Sequence, residues 1–271
     1  MKAGNVVVVK ISYRLGALGY LWMPEKGVGN LGLEDQRTAL EWIHDHISDF
    51  GGDPARITVF GQSAGAHSVA ALIASSKGRL SFQRAILQSP PLGMDISQKK
   101  AERIKRKFLR LLGEDPFTAS VDKILEVQAS MSSKSLVPLF QPVLDDVTGI
   151  PSELESDKLK IVCGYTAQDA SPFLRKVLGP LFATAFGRAV VNYATKSVFA
   201  SAIDQYVEKL RKRGFDARTY FISWAPKGNP LGSCHCIEMP FLLGFYEDWT
   251  EAAMLQKTTR EEYERLSGIF L

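Results

Sequence analysis

The sequence predicts an α/β fold, a mostly parallel sheet with helices on both faces, in a single domain over 1–271. Two observations carry that prediction. Short, β-branched, nearly continuous apolar runs recur along the chain, as strands buried on both faces do. Longer stretches of helical periodicity separate them, and such alternation indicates parallel strands joined by right-handed crossovers.

The strand-like runs are 6–12, 57–60, 84–88, 160–164 and 218–224. Helical patterns cover 33–50, 64–76, 99–112 and 121–131, with several more between 172 and 213. The helical stretches 99–131 and 172–212 are too long for plain crossovers. They read as cap inserts, at about 92–135 and 171–213, over the carboxyl edge of the sheet, where α/β sites form. The helix at 99–110 is strongly basic, with Ile104, Phe108, Leu111 and Leu112 on one face. It reads as a cap helix with a solvated cationic side; the alternative is binding to a membrane surface or an anionic partner.

Bulk composition excludes several classes. The chain is 45% hydrophobic and 23% charged, ordinary for a globular protein. A net charge of +4 is too small to argue for nucleic acid. No apolar stretch reaches the ~18 residues of a membrane span; the best, 178–194, is broken by Gly179, Pro180, Gly187 and Arg188. Three cysteines, Cys163, Cys234 and Cys236, do not make a disulfide framework and favour a reducing, cytoplasmic setting.

The chemistry concentrates at Gly61-Gln62-Ser63-Ala64-Gly65, which follows the run 57–60 and opens an alanine-rich helix. Strand, sharp turn and helix are the setting that the G-x-S-x-G elbow requires, with the serine hydroxyl exposed at the top of a sheet. Glycines on both sides let the chain turn and the helix approach. The structural alternative is an ordinary strand-to-helix turn.

A serine needs a base, held in the right tautomer by a carboxylate. The four histidines are His44, His46, His67 and His235. His44 and His46 read as surface residues of the helix before the elbow. His67 lies one turn along the elbow helix, where packing or a substrate-edge contact suits it better than base work. His235 follows the last strand and a Pro/Gly-rich turn, the place for a base in the order serine, acid, histidine. Cys234-His235-Cys236 has poor spacing for a metal and no second ligand cluster, so no metal is expected. Asp169, just after the run 160–164, is the candidate acid; Asp145 and Asp146 compete but precede that strand.

These residues, with Tyr13-Arg14-Leu15-Gly16, Gly29-Asn30-Leu31-Gly32-Leu33-Glu34-Asp35-Gln36, Phe50-Gly51-Gly52-Asp53-Pro54, Ala85-Ile86-Leu87-Gln88-Ser89, Gln141-Pro142-Val143-Leu144-Asp145 and the stretch 235–244, resemble the type-B carboxylesterase and cholinesterase family. The resemblance implies an α/β-hydrolase fold, with Ser63 as nucleophile, Asp169 as acid and His235 as base. The backbone N–H of Ala64 would be one oxyanion-hole donor. No cofactor is implied, and the substrate would be a small-molecule ester.

The chain departs from the family in places. Gln62 and Asp169 stand where the family usually has glutamate, and 164–170 keeps only the frame of the acid motif. The family's His-Gly-Gly-Gly oxyanion loop does not occur, and the chain is expected to lack the family's N-terminal strands. The run 6–12 would then lose its neighbour and the elbow strand would keep an open edge. Either the two strands close up, or a complementing N-terminal segment or a second copy fills the gap, or the segment folds poorly. The expected function is ester hydrolysis through an acyl-enzyme. The alternative is a truncated or vestigial relative with little catalysis. Phe173, Leu174, Phe182, Phe241 and Phe245 suggest an apolar pocket, though core packing explains each as well.

Overall fold

A computed structural model describes residues 5–92, 96–133, 135, 138–144 and 146–270. Its sheet has four parallel strands in the order β1 (Thr58–Gln62), β2 (Arg84–Gln88), β3 (Lys160–Thr166) and β4 (Asp216–Ile222). The helices, in chain order, are α1 (Gly16–Tyr20), α2 (Leu31–His46), α3 (Ala64–Ala74), α4 (Gln98–Leu112), α5 (Val121–Ser132), α6 (Ser171–Leu178), α7 (Ala185–Thr195), α8 (Ser201–Lys212), α9 (Met239–Leu243) and α10 (Arg260–Phe270).

The main core forms where β2 and β3, apolar along their length, meet Ala66, Val69, Ala70 and Ile73 of α3 and Ile203, Tyr206, Val207 and Leu210 of α8. Leu33 and Leu40 of α2 close it. The stretch 171–213 therefore divides. Its last helix, α8, lies against the sheet as a crossover, while α6 and α7 pack with Leu231 and Cys234 in a smaller cluster.

Helices α4 and α5 start where Ser97 and Ser120 accept hydrogen bonds from the N–H of Lys100 and Lys123, satisfying donors that a helix start leaves free. They share a separate core with α1, built on Ala17, Leu21, Phe108, Leu112, Ile124 and Met131. On α4, Leu111 does not join the apolar face expected of it and is 49% exposed. The buried amine of Lys105 instead lies inside, paired with Glu25 at 3.0 Å and Glu102 at 2.8 Å.

Two expectations fail at the edges of the sheet. The run 6–12 forms no strand; Val6, Val7, Val8 and Val9 stand 43 to 59% exposed, because no described strand pairs with them. Its apolar pattern is a strand pattern without a partner, and a lone strand has no ladder to satisfy its backbone. Strands β1 and β4 are not buried on both faces either: Phe60 and Phe221 are 44% and 56% exposed. Among the described residues the gap beside β1 is not closed, and its outer edge is unpaired.

Candidate active site

The ends of β1, β2, β3 and β4 bring the candidate residues together. Ser63 follows β1 and takes φ 57°, ψ −119°, a conformation that costs on the order of 1–3 kcal/mol for a side-chain-bearing residue. Its N–H donates to the carbonyl of Gln88 at 2.8 Å, and the carbonyl of Ser63 accepts from the N–H of His67 at 2.9 Å, so β2 and α3 fix the turn. Gly61 is required, because a Cβ there would collide with the backbone of Gly65. Gly65 is not required for packing; a Cβ there would meet open space. Ala64 opens α3, and its N–H lies in the first turn, where helical amides have no intrahelical acceptor.

Asp169 sits in the turn after β3 and is fully buried. Its Oδ2 accepts from the N–H of Thr166 at 2.8 Å and from the hydroxyl of Ser89 at 3.0 Å. Its Oδ1 lies 2.7 Å from Nδ1 of His235. The loops that carry Asp169 and His235 are stitched side by side. The N–H of Gln168 donates to the carbonyl of Ser233 at 2.8 Å, and the N–H of Ser233 donates to Oε1 of Gln168 at 2.7 Å. The Ser171 hydroxyl adds a bond to the carbonyl of Leu231 at 2.6 Å.

The ring of His235 is 8% exposed. Phe173 of α6 meets it edge-on at 5.2 Å, and Phe199 lies tilted at 5.4 Å. Phe199 comes from a π-helical turn, Lys196–Ala200, between α7 and α8; such turns often re-aim a side chain at a functional site. The other ring nitrogen, Nε2, lies 3.0 Å from Nε2 of Gln62, the residue before Ser63. The Ser63 hydroxyl makes no hydrogen bond among the described residues.

A second acid lies close by. Glu238, 1% exposed, accepts from Nε2 of Gln88 at 3.4 Å through Oε1, and its Oε2 has no partner among the described residues. Burial, and then the charge of Asp169, hold the Glu238 carboxyl above its ordinary value. Burial likewise pushes the neighbouring Tyr220 hydroxyl up.

Asp169 and His235 meet directly, and Nε2 of His235 lies against Gln62, the chain neighbour of Ser63. His44 and His46 are exposed, and His67 is buried on α3. Asp145 lies outside the described residues, and Asp146 caps a turn through Thr148, away from the pair. Of the suggested pocket residues, Phe173 meets the His235 ring at 5.2 Å. Phe182 and Phe241 are core residues, Leu174 packs with Phe182, and Phe245 is 77% exposed. Sequence reasoning noted Gln62 as a departure from the family but gave it no role, and it missed Ser89, Thr166, Phe199 and Glu238. Of these, Ser89 and Glu238 lie inside matching stretches.

A serine elbow on a parallel sheet, with the Asp169 and His235 loops after later strands, defines an α/β-hydrolase fold. A model of the carboxylesterase family matches residues 1–180. The chain belongs to that family, in its type-B carboxylesterase and cholinesterase form. It is 36% identical to a probable N-octanoylanthranilate hydrolase, AqdA2, of Rhodococcus erythropolis, over 95% of this chain and 62% of that protein. It is 33% identical to a phenmedipham hydrolase of Pseudarthrobacter oxydans, over 91% and 58%. Among solved structures it superposes on a PNB esterase with a TM-score of 0.74 and 25% identity, over 94% and 62%. The chain therefore spans about three fifths of the length of these relatives. Among the described residues, no helix is long and apolar enough to cross a membrane.

Proposed function

We propose that this chain carries the catalytic residues of a serine hydrolase acting on small carboxylic esters. The observation that carries the reading is the 2.7 Å contact between Asp169 and His235, whose other ring nitrogen faces the serine elbow. Ser63 Oγ attacks the ester carbonyl carbon while its proton passes to Nε2 of His235. The developing oxyanion takes the N–H of Ala64, where the start of α3 favours negative charge. Collapse breaks the carbon–oxygen bond, and His235 returns the proton to the departing alcohol. A water molecule, deprotonated by His235, then releases the acid from Ser63. No step calls for a cofactor.

Asp169 holds the proton of the neutral imidazole on Nδ1 and stabilises the imidazolium that forms. Phe173 and Phe199 shield the ring, which strengthens that interaction. The names of the relatives as hydrolases support the reaction class. Three free cysteines fit a reducing, cytoplasmic setting. Treatment with diethyl p-nitrophenyl phosphate, followed by peptide mass mapping, tests the reading. A diethylphosphoryl adduct on Ser63 is expected. An unmodified Ser63, under conditions that label another serine esterase, would overturn it.

A further inference from the structure

The Gln62 carboxamide lies 3.0 Å from Nε2 of His235, the nitrogen that would take the proton of Ser63. In a neutral imidazole with its proton on Nδ1, Nε2 offers one in-plane lone pair. Asp169 fixes that tautomer through the 2.7 Å contact at Nδ1. The lone pair of Nε2 then accepts from the Gln62 amide at 3.0 Å. The hydroxyl of Ser63, one residue away, has no partner among the described residues. One lone pair cannot serve an amide donor and a serine hydroxyl together.

We infer that Gln62 is a positioning residue that latches His235 in the resting site and must swing away before Ser63 can be activated. The inference rests on His235 being the base. The same side chain also suits the next stage. After a half-turn of the amide, Oε1 can accept from the Nε2–H of an imidazolium, as an amide carries both donor and acceptor. A carboxylate at this position would behave otherwise. In its ionised form it could only accept, so it would favour the protonated form of His235. Asp169 faces the ring at Nδ1, and Glu238, three residues on from His235, is electrostatically coupled to it. Phe173 and Phe199 present only apolar surface.

Two variants and two readouts test this on the full chain. The first readout is the rate of phosphorylation of Ser63 by diethyl p-nitrophenyl phosphate across pH. Gln62→Met keeps the bulk and removes the donor. It should raise the plateau rate about two- to tenfold, the release of one ordinary hydrogen bond. Gln62→Glu should move the acid limb up by about one pH unit or more, because an opposite charge favours the imidazolium, and so slow labelling at neutral pH. A Gln62→Met plateau at or below that of the parent, or an acid limb unmoved in Gln62→Glu, overturns the latch. The second readout does not need reactivity. In 15N-histidine protein carrying Ser63→Ala, so that the serine hydroxyl cannot replace the lost donor, and with His235 assigned by its loss in His235→Gln, the Nε2 resonance should move downfield in Gln62→Met. No movement overturns the latch. Absence of any Ser63 adduct in all forms counts against the hydrolase reading, while the nitrogen resonance still decides on Gln62.

Discussion

Ser89 and Asp169, eighty residues apart, meet at 3.0 Å, the hydroxyl at the end of β2 donating to the carboxylate beyond β3. The bond holds the acid from the side opposite His235, which takes the other oxygen. Ser89 itself sits at φ 47°, so the chain accepts an unfavourable backbone to aim this hydroxyl.

Replacing Ser89 with alanine removes one of the two donors on Oδ2 and keeps the backbone strain. A hydrogen bond to a charged group contributes about 1.5–3 kcal/mol. Ser89→Ala should therefore lower unfolding free energy by about that amount, read from urea denaturation. It should also slow phosphorylation of Ser63 by roughly tenfold, because Asp169 loses part of its alignment. An unchanged rate would show that Thr166 alone suffices to hold the acid.

The two buried histidines separate by role. His235→Ala should abolish labelling of Ser63, whereas His67→Ala should retain most of it in the folded fraction. His67 is 3% exposed on α3, so its loss should cost roughly 1–3 kcal/mol of stability. Comparable rate losses at both positions would reopen the assignment of the base.

Glu238 predicts a pH dependence of stability. Burial raises its carboxyl above the ordinary 4.5, so the folded protein holds this proton more tightly than the unfolded chain does. The group's contribution is complete at pH values below 4.5 and is lost as pH rises through the folded value. Glu238→Gln should flatten the decline in the urea midpoint as pH rises above the ordinary 4.5. The amide still offers an acceptor to Gln88. A parent and variant with parallel pH curves would contradict the assignment.

The cysteines beside His235 should be inert. Burial pushes the thiols of Cys234 and Cys236 up to about 12. At pH 8 the thiolate fraction is then on the order of one in ten thousand. Alkylation by iodoacetamide should run on the order of a thousandfold slower than for an exposed thiol, and denaturant should restore the rate. Rapid modification of the native protein would refute this.

The strands around the elbow were legible because β2 and β3 are short, apolar and flanked by helical patterns, as centrally buried strands must be. The same apolar signature misled at 6–12, where composition records what a segment could pair with and not whether a partner is present. Chain order was enough to single out Asp169 and His235, two side chains that meet at 2.7 Å. The roles of Gln62, Phe199 and Glu238 were not legible, since each acts through a side-chain direction set by tertiary packing. The π-helical turn that delivers Phe199 has no local sequence mark. Leu111 was misplaced because Lys105, paired with two glutamates, takes the inward position on α4.

The bare flank of β1 makes concentration a variable in handling this protein. Among the described residues its outer amides and carbonyls have no ladder partner and can template an extended stretch from another molecule, and the exposed Phe60 adds apolar surface on the same strand. Preparations should cluster progressively as they are concentrated, visible as a growing scattering radius. A lysine in place of Phe60 should keep them dispersed without touching the serine elbow.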